Sequence, residues 1–359
     1  MTELLSIAFR CFLLPLAALL LLSGCEQKRA DAPDTAERLI ALRGNTMGTT
    51  YSVKVVRGDA ATTALDGTRL KTDIDQRLAA FNQEVSTYIE TSRIARFNTA
   101  RETDWIPVGP HFAAILDSAL QVSRRSMGAF DVTVGPLVNL WGFGPEEQVD
   151  LPDETALTAA RQRVGYQNVM VHHGPPAVRK TRPDVVLDFS AIAKGYGVDL
   201  IAAYLDSLGA TDYMVEIGGE VVARGANAEG VAWRIGISTP DHAMNIQKVI
   251  ALNDRAVATS GDYMNYFEKD GVRYSHTIDP RTGRPVTHKL ASVTVAHESC
   301  AMADAYATAI DVLGPLDGYR MAMNLQLPIY MIIRDGDAFV EKMTPEFEAL
   351  FASQPQEGR

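Results

Sequence analysis

Cysteine is scarce in this chain, with 3 among 359 residues, at Cys11, Cys25 and Cys300, so no multi-bridge disulfide framework carries the fold. No run of Lys and Arg interleaved with aromatics occurs, and 44 acidic residues outweigh 34 basic ones to give a net charge of −10. That balance excludes a nucleic-acid-binding surface. The apolar run at residues 11–22 falls short of the roughly 20 residues that cross a bilayer. No Gly-x-Gly-x-x-Gly opens a helix after a first strand and no Walker A sequence is present, which removes two common nucleotide-binding signatures. Nor is there an internal repeat of fixed period.

What the N-terminus does contain is an export pattern. The apolar run follows a segment in which Arg10 is opposed by Glu3, and it ends in Leu22-Ser23-Gly24-Cys25. Small residues ahead of a cysteine resemble a bacterial lipobox, so residues 1–24 are expected to be a lipoprotein signal peptide and Cys25 the lipidated mature N-terminus. Cys11 then leaves with the signal and Cys25 carries lipid, so Cys300 is left as a packed core thiol with no disulfide partner. Residues 25–38, rich in Ala, Asp, Glu and Lys and interrupted by Pro33, read as a flexible tether. The globular unit is expected over residues 39–350, with a C-terminal tail at 351–359.

Along that unit, residues 39–56 read as a strand pair around Gly44-Asn45 and Gly48. Apolar positions three and four apart predict helices at 65–81, through Leu70, Ile74, Leu78 and Phe81, and at 111–125, through Phe112, Ile115, Leu116, Ala119 and Val122. Further helices are expected at 155–164, 195–208 and 301–313. Strands are expected at 169–171, 185–188, 213–217, 221–224, 233–237, 256–259, 292–296 and 328–334. The Pro-rich patch 174–183 is too short for a domain linker. Strands and helices do not alternate steadily, which favours an α+β fold over a doubly wound parallel sheet. The expectation is a single catalytic unit of two lobes with mixed or antiparallel sheets and the site in the cleft.

Several segments carry chemistry. In the alanine-rich stretch 299–311, Asp304, Thr308 and Asp311 fall on one helical face and offer hard oxygen donors to a cation. The alternative is a carboxylate favoured by the helix dipole and a threonine bonded back to its own turn. Asp188 ends an apolar run and Lys194 opens the following helix, a place where a strand end and free N–H groups meet ligand phosphate; equally, Asp188 or Ser190 can serve as a helix cap. Gly218-Gly219 before Glu220 reads as a hairpin turn, or as backbone close to a flat ligand. His276, in a loop of His, Asp and Arg fixed by Pro280 and Gly283, can take a proton near neutral pH. Residues 130–145 look like an ordered binding loop, with an aromatic core plug as the alternative for Trp141 and Phe143.

Taken together, Thr46-Met47-Gly48-Thr49, Ser86-Thr87-Tyr88, the stretch 130–145, the stretch 188–197, the stretch 216–220, the stretch 276–283 and the stretch 303–308 resemble the ApbE family of FAD:protein FMN transferases, over nearly the whole mature chain. The resemblance implies an enzyme that binds FAD and Mg²⁺, cleaves the pyrophosphate, attaches FMN through a phosphoester to a Thr or Ser of a partner protein, and releases AMP. It implies that Met47, Tyr88, Ala129, Phe130, Asp131, Asp188, Lys194 and Ile278 contact FAD. The metal positions it implies are the Ala191 carbonyl, Asp304 and Thr308, with His276 assisting deprotonation of the acceptor hydroxyl. Asp311 has no metal role in that pattern. The implied acceptors are redox proteins carrying covalent FMN, such as membrane NADH:quinone or Rnf-type electron-transfer subunits, reached from a lipid anchor on the periplasmic side of the inner membrane. The rival readings are an FAD pyrophosphatase giving FMN and AMP, and a non-catalytic FAD-binding lipoprotein.

Overall fold

The computed structural model describes residues 38–145, 150–240, 245–261, 266–269, 272–336 and 338–352. The expected signal peptide, the expected lipidation site Cys25 and most of the tether lie outside these residues, as does most of the C-terminal tail.

β-Branched alternation folds Leu39–Thr46 and Thr49–Val56 into a hairpin whose two-residue turn is Met47-Gly48, both with positive φ, at 49° and 71°. That pair of left-handed residues suits the right-handed strand twist. Gly44-Asn45, read as a turn centre, instead lies within the first strand, where a methyl group on Gly44 would collide with the ring of Tyr51. The hairpin begins an eight-stranded sheet that continues through Tyr213–Ile217, Glu220–Arg224, Arg255–Gly261, Leu290–His297, Ile329–Asp335 and Ala338–Met343. Its strands lie side by side in chain order, and every neighbouring pair is antiparallel. With helices gathered on one face, this is the expected α+β arrangement.

One sheet face is covered by the helices Gly67–Val85, Ala193–Ser207 and Cys300–Leu325, with Pro110–Arg125 packed behind the last. The other face is covered where Trp233, Ile237, Ile250 and Leu252 of a separate two-stranded sheet meet Val221, Val257, Tyr330 and Ile332. A satellite core unites Leu137, Trp141, Leu157, Ala160 and Ile278. Cys300 is buried in the main body as a free thiol. Among the described residues, no helix is long and apolar enough to cross a membrane.

Two further expectations are corrected, and a patch given no element from sequence gains a strand. The helix expected at 301–313 runs on as Cys300–Leu325 through a kink at Gly314, where φ is 75° and Pro315 follows. The patch 174–183 contains the strand Pro176–Lys180, central in a three-stranded sheet. Residues 185–188 form no strand: the Asn98 amide donates to Leu187 O and its oxygen accepts from Leu187 N–H, both at 2.8 Å, and Asp188 N–H donates to Val132 O at 2.7 Å. Buried Lys180 secures the same segment by donating to Phe97 O and Val185 O. The backbone there is satisfied by side chains and isolated backbone bonds rather than by a ladder. Replacing Asn98 with Ala removes both partners of Leu187 and is expected to lower unfolding free energy by about 2–4 kcal/mol, read from urea denaturation.

Candidate active site

The site is built where the helix Ala193–Ser207 meets the helix Cys300–Leu325. Gly195 lies at the contact: a methyl group there would sit 2.8 Å from Asp304 Cβ and against the Cys300 carbonyl. Its N–H donates to Asp304 Oδ2 at 3.0 Å. Four residues on, Asp199 accepts from Ser299 Oγ at 2.7 Å, Cys300 N–H at 2.8 Å and Ala301 N–H at 3.0 Å. One helix thus caps the other, satisfying donors that its own first turn cannot. Ser299 is the N-cap residue, so Asp304 is more than a turn inside the helix and does not act as its cap.

Asp304 is 4% exposed, and its one hydrogen bond among the described residues is the one to Oδ2. Burial pushes its carboxyl up, opposed by the Lys194 ammonium and the Gly195 N–H. Thr308 does not bond back to its own turn; its hydroxyl lies 3.3 Å from Ser260 Oγ on the strand Arg255–Gly261. A buried carboxylate with a spare oxygen, a hydroxyl one turn away and the Ala191 carbonyl ahead of the partner helix make an oxygen donor set that fits a small hard dication. Among the described residues no three His, Cys, Asp or Glu side chains gather into a metal-holding group, so an ion here would take a single carboxylate and neutral oxygens.

Asp311, placed on the same stripe from sequence, serves otherwise. It is fully buried and accepts from Thr277 Oγ1 at 2.9 Å. Thr277 adjoins His276, so Asp311 ties the histidine loop to the helix that carries Asp304 and Thr308. Phe143 meets the His276 ring edge-on, with ring centres 6.3 Å apart. Ile278, one residue beyond Thr277, is buried in the satellite core beside Trp141, whose Nε1–H donates to Gly283 O at 2.8 Å. The core-plug reading therefore holds for Trp141.

Lys194 reaches Glu220, with Nζ 2.7 Å from Oε1. Burial works against its positive charge, but the carboxylates of Asp304 and Glu220 more than offset this and hold the ammonium above its ordinary range. Glu220, which sequence reading passed over, is 2% exposed, and burial reinforced by Asp304 raises its carboxyl against the pull of Lys194. Asp188 neither caps the helix nor ends a strand: its Oδ1 accepts from Ser190 N–H at 2.8 Å and from Ser190 Oγ at 2.5 Å. Tyr88, 67% exposed, lies close enough for Asp188 to help raise its phenol, after burial. Asp188 is also bonded through its backbone to Val132, next to Ala129, Phe130 and Asp131. All three are buried, and the Asp131 carboxylate is taken up by Thr133 N–H, Thr133 Oγ1 and Tyr166 N–H. Met47 packs on the same helix as Lys194, against Gly197.

Tyr88, Asp188 and the 129–131 segment thus form one group, and Lys194, Asp304 and Glu220 a second, joined by residues 188–194. A family model described as the ApbE family matches residues 47–332. The chain belongs to the ApbE family. It is 42% identical to an FAD:protein FMN transferase of Vibrio cholerae over 94% of this chain and 98% of that one. To the FAD:protein FMN transferase of Escherichia coli K12 it is 38% identical, over 94% and 97%. Among solved structures, the flavin transferase ApbE of Vibrio cholerae matches with a TM-score of 0.80 and 41% identity, covering 87% of this chain and 98% of that one. The apo flavinyl transferase ApbE of Pseudomonas stutzeri matches with a TM-score of 0.80 and 38% identity, over 88% and 98%. Glu220 closes the stretch 216–220 noted in the sequence, yet only the fold reveals that it meets Lys194.

Gly195→Ala is expected to force the two helices apart, costing about 1–3 kcal/mol of stability. The measurement is urea denaturation beside Gly67→Ala, a helical glycine where a methyl group would meet Ile40 at an ordinary 3.6 Å, as the control.

Proposed function

We propose that this chain is an FAD:protein FMN transferase, dependent on Mg²⁺, that acts from a lipid anchor on the periplasmic side of the inner membrane. The observation that carries the activity is Asp304: a buried carboxylate with one unengaged oxygen, facing Lys194 across a glycine contact, in a chain of the ApbE family. Such a pairing suits a diphosphate that arrives with a divalent ion.

Asp304, Thr308 and the Ala191 carbonyl would hold the ion. When bound, it neutralises charge on the phosphoryl oxygens. Lys194 supplies a fixed positive charge to the same diphosphate, while Met47, Tyr88, Asp188, Ile278 and the buried 129–131 segment shape the nucleotide site. The acceptor Ser or Thr oxygen attacks the phosphorus on the FMN side, and the bond from that phosphorus to the bridging oxygen breaks. AMP leaves with the bridging oxygen, and the hydroxyl proton passes to His276. Holding that loop through Thr277 and Asp311 keeps the base in register with the Asp304 helix. Acceptors would be redox proteins that carry covalent FMN, including membrane NADH:quinone or Rnf-type subunits. The lipobox cysteine Cys25 supports the anchor, and residues 39–350 form the catalytic unit.

Incubation with FAD, Mg²⁺ and a purified acceptor, followed by a denaturing gel, should give protein-bound flavin fluorescence. Free FMN and AMP without labelled protein would establish hydrolysis instead, and absence of AMP would leave only a flavin-binding protein. Asp304→Ala and His276→Ala are each expected to slow transfer by about 10²-fold or more; unchanged rates would refute these assignments. Chelation by EDTA should stop the reaction and added Mg²⁺ restore it.

A further inference from the structure

Glu220 is buried at the site and has no part in the reaction described above. Its Oε1 takes the Lys194 ammonium at 2.7 Å, and its Oε2 is buried without a hydrogen-bond partner among the described residues. A carboxylate kept out of water on a single contact is costly, and that contact is Lys194. The turn before it is shaped for the same lysine. Gly218 has φ +60°, and a methyl group there would lie 3.2 Å from Lys194 Cδ and 2.8 Å from Thr49 Cγ2. The glycine leaves room for the stem, and the glutamate two residues later catches the head. Asp304 also attracts Lys194, but its hydrogen bond goes to Gly195 N–H, whereas Glu220 touches the ammonium directly at 2.7 Å.

We propose that Glu220 is a positioning residue for nucleotide binding: it anchors the Lys194 ammonium at the place where FAD's diphosphate is held. This rests on the reading of Lys194 as a nucleotide contact. Positioning and simple electrostatics predict opposite signs. Removing an acidic group beside an anionic diphosphate would tighten binding through space, whereas removing the anchor of a flexible lysine loosens it.

The test is the Kd of the mature chain for FAD, read by flavin fluorescence in metal-free buffer, for Glu220→Ala, Lys194→Met and the double variant, with thermal unfolding of each. Glu220→Ala is expected to weaken FAD about tenfold, and the double variant to bind no more weakly than Lys194→Met alone. Binding by Glu220→Ala as tight as or tighter than wild type, or losses that multiply in the double variant, would overturn the proposal. Unchanged affinity in Lys194→Met would overturn it too, by removing the reading of Lys194 on which it stands. Should Glu220→Ala not fold, Glu220→Asp, which keeps the charge but shortens its reach, is read in its place: weaker FAD binding is expected, and equal or tighter binding refutes the idea.

Discussion

The approach of two helices at Gly195 is the constraint on which the rest of the site depends. Without a side chain at that position, the helix Ala193–Ser207 can lie against Asp304 and the Cys300 carbonyl, and Gly195 N–H can bond Oδ2. Asp199 then locks the register by capping the first turn of the partner helix with three hydrogen bonds. Because both contacts lie on one helix, sliding it by a turn would break them together. The placement of the Lys194 backbone relative to Asp304 is therefore set by backbone and cap, and the long lysine side chain is left for Glu220 to hold.

That rigidity allows the site to gather charge. Lys194, Asp304 and Glu220 sit in a poorly hydrated space where two carboxylates repel and one ammonium attracts both. The cluster carries an excess of negative charge when all three are ionised, an imbalance that a nearby cation would relieve. The sheet contributes as well. Glu220 opens the strand Glu220–Arg224, and Ser260, beside Thr308, lies one residue from the end of the neighbouring strand Arg255–Gly261. These strands are paired antiparallel, so the end of one and the start of the other present polar groups to the same two helices.

Much of this was legible in the chain because periodicity and turn chemistry are local. The three- and four-residue spacing through Phe112, Ile115, Leu116 and Ala119 appears as the buried face of Pro110–Arg125, and Gly218-Gly219 is the tight turn between Tyr213–Ile217 and Glu220–Arg224. The failures have a common cause in long-range pairing. Val185-Val186-Leu187 has the composition of a strand, yet its polar backbone is satisfied by Asn98, 89 residues earlier. Glu220 stands in sequence as a residue after a turn, and only the passage of the Lys194 stem over Gly218 gives it a role. Asp199 carries no local signal at all, since its partners are 100 to 102 residues away.

The misreading of Asp311 is the most instructive of these, because the helical arithmetic behind it was sound. Asp304, Thr308 and Asp311 do share a face, but a face seven residues long spans about 10 Å, more than one small ion can bridge with bonds near 2 Å. The far end of the stripe must therefore find another partner, and it finds Thr277. A carboxylate that helical spacing alone offers to a cation becomes the tie between the helix bearing Asp304 and the loop bearing His276. Asp304, Thr308 and the loop bearing His276 are thereby tied to one helix, so a shift of that helix would carry them together.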